Sequence, residues 1–540
     1  MIKIIFFVFT LCFYGCNISS SKTKISDIEF PVKQNLSNNA AYLSANYYIS
    51  KGDAYTASRI LNANTNKLKF LQLKFISNLM SGNFEHANKI SNLITNINKN
   101  RPEFEIPKFL IALDNNKLEY SLQIGKKIKN FLNLNNITHL VEFWLLNFST
   151  NSEFNIKNIS KNISIYKLLI LENFYETKKL KEIADNNFKN KNLTNNDLLL
   201  LAGYYFRLND IKKFNTIIRE RLPNQFDKDF LIKNFATTNN IFNEIPNLKT
   251  ILASKIYNNI NINSLEEYSY THLKILLEMV LFLCPDMDIA KYSLAEIYND
   301  QKSGHIALKK LNSISSQSFY YLPSSLKKFS ILKSLKLDQK YKEHLFKNKK
   351  LWPNNLFIML KLADYEKSQK NYYESMKIYK NIINEHGENN RIFFLYASSL
   401  DKIGKWNEAK KILMKILKKN PKDTYTLNYL AYSLALRNEE LSLAQNFIKK
   451  ALSLDPNNGF FLDTLGWVEY KRKDFNSSVI YLEQSIIILP KSSEVMDHLG
   501  DCYLMLGRTN EAIYEWKKAL KYENDINVIS LIKAKLSKYE

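Results

Sequence analysis

The sequence predicts an all-α array of helical hairpins, and three observations carry that prediction. Of 540 residues only 12 are Gly and 11 are Pro, while 45% are hydrophobic and spread along the chain, too few turn formers for a sandwich or barrel of short strands. Landmarks also recur at 34 residues: Pro456 and Pro490, Leu465 and Leu499, Gly466 and Gly500. Finally, two series of small residues run in parallel, Ala363, Ala397, Ala431, Gly466 and Gly500 in one, Ser375, Ala409, Ala444, Ser478 and Ala512 in the other, with one inserted residue near Asn438. Two series per repeat imply two helices per repeat that approach closely. Leu413, Ile448, Leu482 and Trp516 then supply the larger packing groups of the second helix. The length exceeds the ~100–200 residues of one globular domain, which suits an extended array.

Residues 1–16 have the layout of a secretory signal: one charge at Lys3, an apolar run from Ile4 to Tyr14, then Gly15, Cys16 and polar residues. The run is shorter than the ~20 residues that span a bilayer. Its end, "FYGC", resembles a bacterial lipobox, in which a small residue precedes the cysteine that becomes the acylated mature N-terminus; Phe13 stands where Leu is usual, and Tyr14 is bulky. Two readings stand: a lipid anchor at Cys16, held stably by several acyl chains, and an ordinary cleaved signal leaving a soluble periplasmic protein. Asn17, rather than the Asp that retains some lipoproteins at the inner membrane, favours the outer membrane under the first. Residues 17–37, rich in Ser, Lys and Asn, read as a flexible tether.

Residues 38–250 keep helix-turn-helix spacing with weaker landmarks, as in "YLSANYYISKGDAYTASRIL" at 42–61, "LKFISNLMSGNFEHANKI" at 73–90 and "LLLLAGYYFRLNDIKKFNTII" at 198–218. Residues 251–355 are intermediate, with "YSLAEIYNDQKSGHIALKKL" at 292–311 the best-formed stretch. Residues 356–524 hold five clear units. In residues 525–540, Val528, Leu531, Ile532 and Leu536 share one helical face, and this segment is expected to cap the open apolar end of the array.

The clear units, such as "LGWVEYKRKDFNSSVIYLEQSIIILP" and "LGDCYLMLGRTNEAIYEWKKAL", resemble tetratricopeptide repeats. The resemblance implies a right-handed superhelix whose first helices line a concave groove, with the second, fifth, ninth and twelfth positions of each repeat turned inward. It then places Tyr425, Asn428 and Tyr432 beside Phe460, Asp463, Trp467 and Tyr470, and adds Asp497 and Asp501 from the last repeat. Such a face suits a polypeptide, because aromatic rings give contact area at low entropic cost and Asn or Asp side chains bond an extended main chain. Asn428, Asp463 and Asp497 hold one equivalent position, where apolar packing would not choose an amide and two carboxylates. The face departs from the Lys/Arg carboxylate clamp of chaperone-cofactor repeats, so the expected partner is apolar, basic or held by its main chain. The whole layout is similar to exported tetratricopeptide lipoproteins of alphaproteobacteria. That similarity implies a non-catalytic scaffold of the cell envelope, presenting its groove to an envelope protein, or else an assembly or maturation factor for outer-membrane proteins or exported polysaccharide.

Other classes are disfavoured. The net charge of +24 is nearly all Lys strewn among Asn and Ile, with little Arg, so it reads as solvated helix faces rather than as a nucleic-acid footprint; Lys347, Lys349 and Lys350, and Lys410, Lys411, Lys415, Lys418 and Lys419, are examples. No phosphate-cradling glycine loop, HExxH helix, GxSxG elbow or paired-cysteine metal spacing occurs, and no cofactor is expected. Outside the signal, Cys284 and Cys502 read as lone core packers, with a disulfide between them as the alternative that periplasmic conditions would permit. His498 lies between Asp497 and Asp501 in sequence, but helical geometry turns it roughly 100° from Asp497, towards the neighbouring helix, in a packing role.

Overall fold

The computed structural model describes residues 38–50, 53–62, 68–95, 102–128, 135–149, 164–223, 244–260, 270–387 and 389–539, together with Lys228 and Ile232. The signal, Cys16 and the tether lie outside the described residues. Among those residues every regular element is helical, and most helices pack against the next one along the chain. None of these helices is long and apolar enough to cross a membrane. The chain divides into two compact units, Met1–His344 and Leu345–Glu540, and the division falls inside the helix Asp338–Leu351.

The first unit contains the weakly marked hairpins. Asn38–Ser50 pairs with Ala54–Asn62, Leu68–Met80 with Phe84–Thr95, Ile106–Asp114 with Leu118–Ile128, and Asp288–Asp300 with Gly304–Asn312. A polar knot ties three helices together: Tyr166 Oη donates to Asp197 Oδ1 at 2.6 Å, and Asn258 Nδ2 donates to the same oxygen at 2.6 Å. Asp197 also closes a capping box with Thr194, which satisfies backbone donors at the start of Asn195–Arg207. Arg207 donates to both oxygens of the buried Glu172 carboxylate, from Nε at 2.9 Å and from Nη2 at 2.6 Å. Each of these groups is partnered, as burial of polar atoms demands.

The second unit holds five hairpins: Leu356–Ser368 with Tyr372–His386, Asn390–Lys402 with Trp406–Lys419, Thr424–Arg437 with Leu441–Leu454, Gly459–Lys471 with Phe475–Ile488, and Ser493–Met505 with Thr509–Tyr522. The small series sits at the helix crossings. Ala363, Ala397, Ala431, Ser375, Ala409, Ala444, Ser478 and Ala512 are fully buried. Leu413, Ile448, Leu482 and Trp516 are fully buried too, and Tyr379 continues their series one repeat upstream. At Gly466 and Gly500 the approach leaves no room for a Cβ. A Cβ at Gly466 would lie 2.7 Å from Leu482 Cγ, and one at Gly500 2.5 Å from Trp516 Nε1. The hydroxyl of Ser478 uses the same closeness, donating to the Gly466 carbonyl at 2.8 Å.

One backbone feature extends the period upstream of the clear units. A residue with positive φ recurs in the turn inside these hairpins: Lys302, Lys336, Lys370, Gly404 and Asn438 at intervals of 34, then Lys473 after 35 and Gly507 after 34, with Glu440 a second such residue in the turn that holds Asn438. Gly82 and Asn116 form a similar pair 34 apart. The left-handed conformation ends the first helix and reverses the chain, whether or not the residue is the glycine that adopts it most cheaply.

The final helix, Ile526–Tyr539, packs on the last hairpin through buried Ile532 and Leu536 and the partly buried Val528. Leu531 faces solvent. The buried stripe follows i, i+4 spacing from Val528, and Leu531 lies roughly 100° off Ile532. Asp525, at its start, meets Lys370 of the first hairpin's turn at 2.8 Å, an exposed pair of small energetic weight.

Candidate functional site: the inner helices of the last three repeats

Three helices carry the expected groove residues: Thr424–Arg437, Gly459–Lys471 and Ser493–Met505. Each begins with a cap that settles its first backbone donors, Asp423 accepting from Thr426 N, Asn458 from Phe460 N and Phe461 N, and Ser492 from Val495 N. Their inner faces meet. Tyr432 Oη donates to a Glu494 carboxylate oxygen two repeats away, and the Tyr432 ring stands 6.3 Å from His498.

At the centre is an aromatic stack. The Trp467 indole lies parallel to Tyr470 at 4.7 Å and to the His498 imidazole at 4.0 Å, with the Lys471 ammonium 4.6 Å from the indole centre. His498 Nδ1 bonds Asp463 Oδ1 at 3.0 Å, and both residues are buried. Burial pulls the His498 pKa down, but the Asp463 carboxylate outweighs it and the imidazole ends above its ordinary value. Beside the stack, Lys535 of the final helix bridges Asp497 at 2.7 Å and Asp501 at 2.6 Å, and Asp501 also accepts from Trp516 Nε1 at 3.1 Å. Burial raises the Asp501 pKa despite Lys535. It also lifts Tyr470, with the Asp501 carboxylate adding to the effect, to about 12.

Of the expected residues, Tyr432, Asp463, Trp467 and Tyr470 are linked through His498, and Asp497 and Asp501 through Lys535, but the nine are not equally open. Tyr425 is 73% exposed and Phe460 61%. Asn428, Tyr432, Tyr470, Asp497 and Asp501 are half-buried, while Asp463 and Trp467 are 6% and 7% exposed. This corrects the expectation of three polar side chains, Asn428, Asp463 and Asp497, all offered to a ligand. The two carboxylates are engaged inside the fold, Asp463 by its hydrogen bond with His498 and Asp497 by the Lys535 ammonium, because burying an unpaired carboxylate costs several kcal/mol. Two polar atoms on this face have no partner within the fold: the Asn428 Oδ1 acceptor and the Trp467 Nε1 donor.

Sequence reasoning overlooked Lys535 and Glu494 and gave His498 only a packing role. Lys535 was findable, since it stands 34 residues after Asp501 and so continues the repeat register into the capping helix. The pairing of His498 with Asp463 spans adjacent repeats and carries no local signal. Cys284 and Cys502 are both buried and free, and among the described residues no cluster of His, Cys, Asp or Glu is set to hold a metal ion.

Comparison with known proteins adds three findings. Residues 392–423 match a family profile described as Tetratricopeptide repeat. The TPR repeat-containing protein MJ1428 of Methanocaldococcus jannaschii is 31% identical over 134 residues, 24% of this chain and 23% of that protein. The TPR repeat-containing protein PA4667 of Pseudomonas aeruginosa is 24% identical over 218 residues, 40% of this chain and 36% of that protein, so the chain spans about a third or less of either relative. Among solved structures, a tetratricopeptide repeat protein from Parabacteroides merdae aligns with 46% of this chain and 98% of its own, at 13% identity and a TM-score of 0.41. TTC0263, a TPR protein of Thermus thermophilus, aligns with 34% of this chain and all of its own, at 18% identity and a TM-score of 0.32.

Proposed function

From a chain that carries tetratricopeptide repeats, we propose a non-catalytic protein–protein interaction scaffold whose last three repeats receive an extended polypeptide on their inner helices. The observation that carries the reading is the exposed aromatic pair Tyr425 and Phe460, 73% and 61% exposed at the starts of two successive first helices, which offers a partner's side chains contact area at low entropic cost. Because Asp463 is already hydrogen-bonded to His498, and Asp497 and Asp501 to Lys535, apolar contact outranks charge attraction in this scheme.

The cellular setting belongs to the same proposal: an envelope protein, exported by the segment 1–16 and anchored through Cys16, with the tether 17–37 reaching from the anchor to the repeats. The test is a photoreactive residue at Tyr425 or Phe460, with capture measured in cells. With the photoreactive residue at one of these two positions, Ser at the other (Phe460→Ser or Tyr425→Ser) is expected to reduce capture while circular dichroism stays helical. Capture unchanged by that substitution removes the groove reading, and acyl-chain labelling that fails on the natural chain removes the anchor.

A further inference from the structure

We propose that the C-terminal unit is a clasped spiral: two polar links between repeats that are not neighbours hold it closed, and its inner helices admit a polypeptide when those links release. In a solenoid each repeat packs on the one before and the one after, and in this unit the helices that pack belong to the same hairpin or to adjacent ones. Two bonds reach further. Tyr432 Oη, in the third hairpin, donates to Glu494 in the fifth. Lys370 Nζ, in the turn of the first hairpin, donates at 2.8 Å to Asp525, 155 residues further along the chain. Glu494 also breaks a series. It holds the repeat position of Tyr425 and Phe460, so where two repeats offer an exposed ring, the last carries a carboxylate that reaches back across the intervening repeat.

Curvature is the softest coordinate of such a stack. Relaxing it slides packed helices slightly past one another and leaves the hairpin cores intact. What it must break are the two links, and both give way readily. The Lys370 side chain is 65% exposed and Glu494 is exposed, so water takes the place of the lost partners. Burial and the Glu494 carboxylate raise the Tyr432 pKa, so its phenol stays a donor. The inner link also occupies the candidate site. Tyr432 is a half-buried inner-face residue, and a polypeptide whose main-chain carbonyl takes its hydroxyl displaces Glu494 and so favours the relaxed form. Forms this close in energy coexist, with the minor one ~0.1–10% populated.

The proposal rests on the inner helices receiving a polypeptide, but the links themselves are tested without one. The full-length chain with Cys12→Ser and Cys16→Ser takes spin labels at Lys380→Cys in the first hairpin and Asn510→Cys in the last, both exposed, while Cys284 and Cys502 are buried and stay unlabelled. Electron–electron resonance then reads the distance between them. Glu494→Ala, which leaves the Tyr432 hydroxyl in place, is expected to raise the relaxed population roughly tenfold, and Lys370→Glu about threefold. The double variant is expected to show a second, longer distance. Lys410→Gln breaks an ion pair of 2.7 Å with Glu440 of the adjacent hairpin and is expected to change nothing, because core packing holds neighbours. A double variant with the natural distances, or an equal shift from Lys410→Gln, overturns the proposal and leaves the groove reading standing. With a photoreactive residue at Phe460, the double variant is expected to raise capture in cells several-fold. Longer distances with capture no higher than that of the natural chain overturn the gating, whereas capture absent from every variant removes the groove reading itself.

Discussion

Gly500→Ala probes the closest helix approach in the second unit. A Cβ there would lie 2.5 Å from Trp516 Nε1, 2.6 Å from Cδ1 and 3.0 Å from Cε2. An ordinary contact sits near ~3.5 Å, so the indole must retreat by roughly 1 Å. Trp516 is fully buried and its Nε1 is bonded to Asp501, so the retreat moves a packed ring rather than a loose tip. Overpacking of this kind costs about 1–3 kcal/mol, and loss of the Asp501 bond adds ~1 kcal/mol. The better helix propensity of Ala returns ~1 kcal/mol. A net loss of about 2 kcal/mol lowers the melting temperature of a unit of this size by ~4–8 °C. Calorimetry of the full chain measures it, with near-ultraviolet circular dichroism reporting the indole. Two controls sharpen the result. Gly507→Ala has nothing within 4 Å of its Cβ but φ of +76°, so it pays only the left-handed strain, ~1 kcal/mol. Trp516→Phe combined with Gly500→Ala should cost less than the two single changes added together, because the smaller ring makes room. A melting temperature that is unchanged or raised by Gly500→Ala refutes the close approach.

Three further outcomes are expected. Lys274 is fully buried, its ammonium has no hydrogen-bond partner and lies 4.7 Å from the Tyr298 ring centre, and burial lowers its pKa to about 8. Lys274→Met should therefore stabilise the first unit by ~1–3 kcal/mol at neutral pH, since Glu278 keeps Lys310 as its cation; chemical denaturation that shows a loss instead would contradict this account. The His498 pKa is raised above the ordinary 6.5, so its contribution is fully present below that value and is lost as pH rises through the folded value. His498→Gln should flatten the decline of second-unit stability above about pH 6.5, a change read from melting curves across pH. Lys473→Gly, at φ of +67°, should stabilise by up to ~1 kcal/mol by relieving left-handed strain, net of the entropy that glycine adds to the unfolded chain; a lower melting temperature would argue against that turn.

By itself the sequence determined the architecture of the C-terminal unit, because close packing of repeated hairpins must be written as repeated residue sizes. Ala363 through Gly500 and Leu413 through Trp516 record, one repeat at a time, where helices touch, and they lie buried as that record implies. The same register picked out Tyr432, Asp463, Trp467 and Tyr470, which the fold links through His498. Accessibility was decided only by the tertiary structure. Whether Asp463 is bare or paired depends on His498 of the next repeat, whether Asp497 and Asp501 are free depends on Lys535 of the capping helix, and whether Trp467 is open depends on what stacks against it. The hairpin turns upstream were hidden for another reason. Left-handed backbone at Lys302, Lys336 and Lys370 repeats every 34 residues while lysine carries no signal for it, because the conformation is imposed by the packing of the two helices it joins.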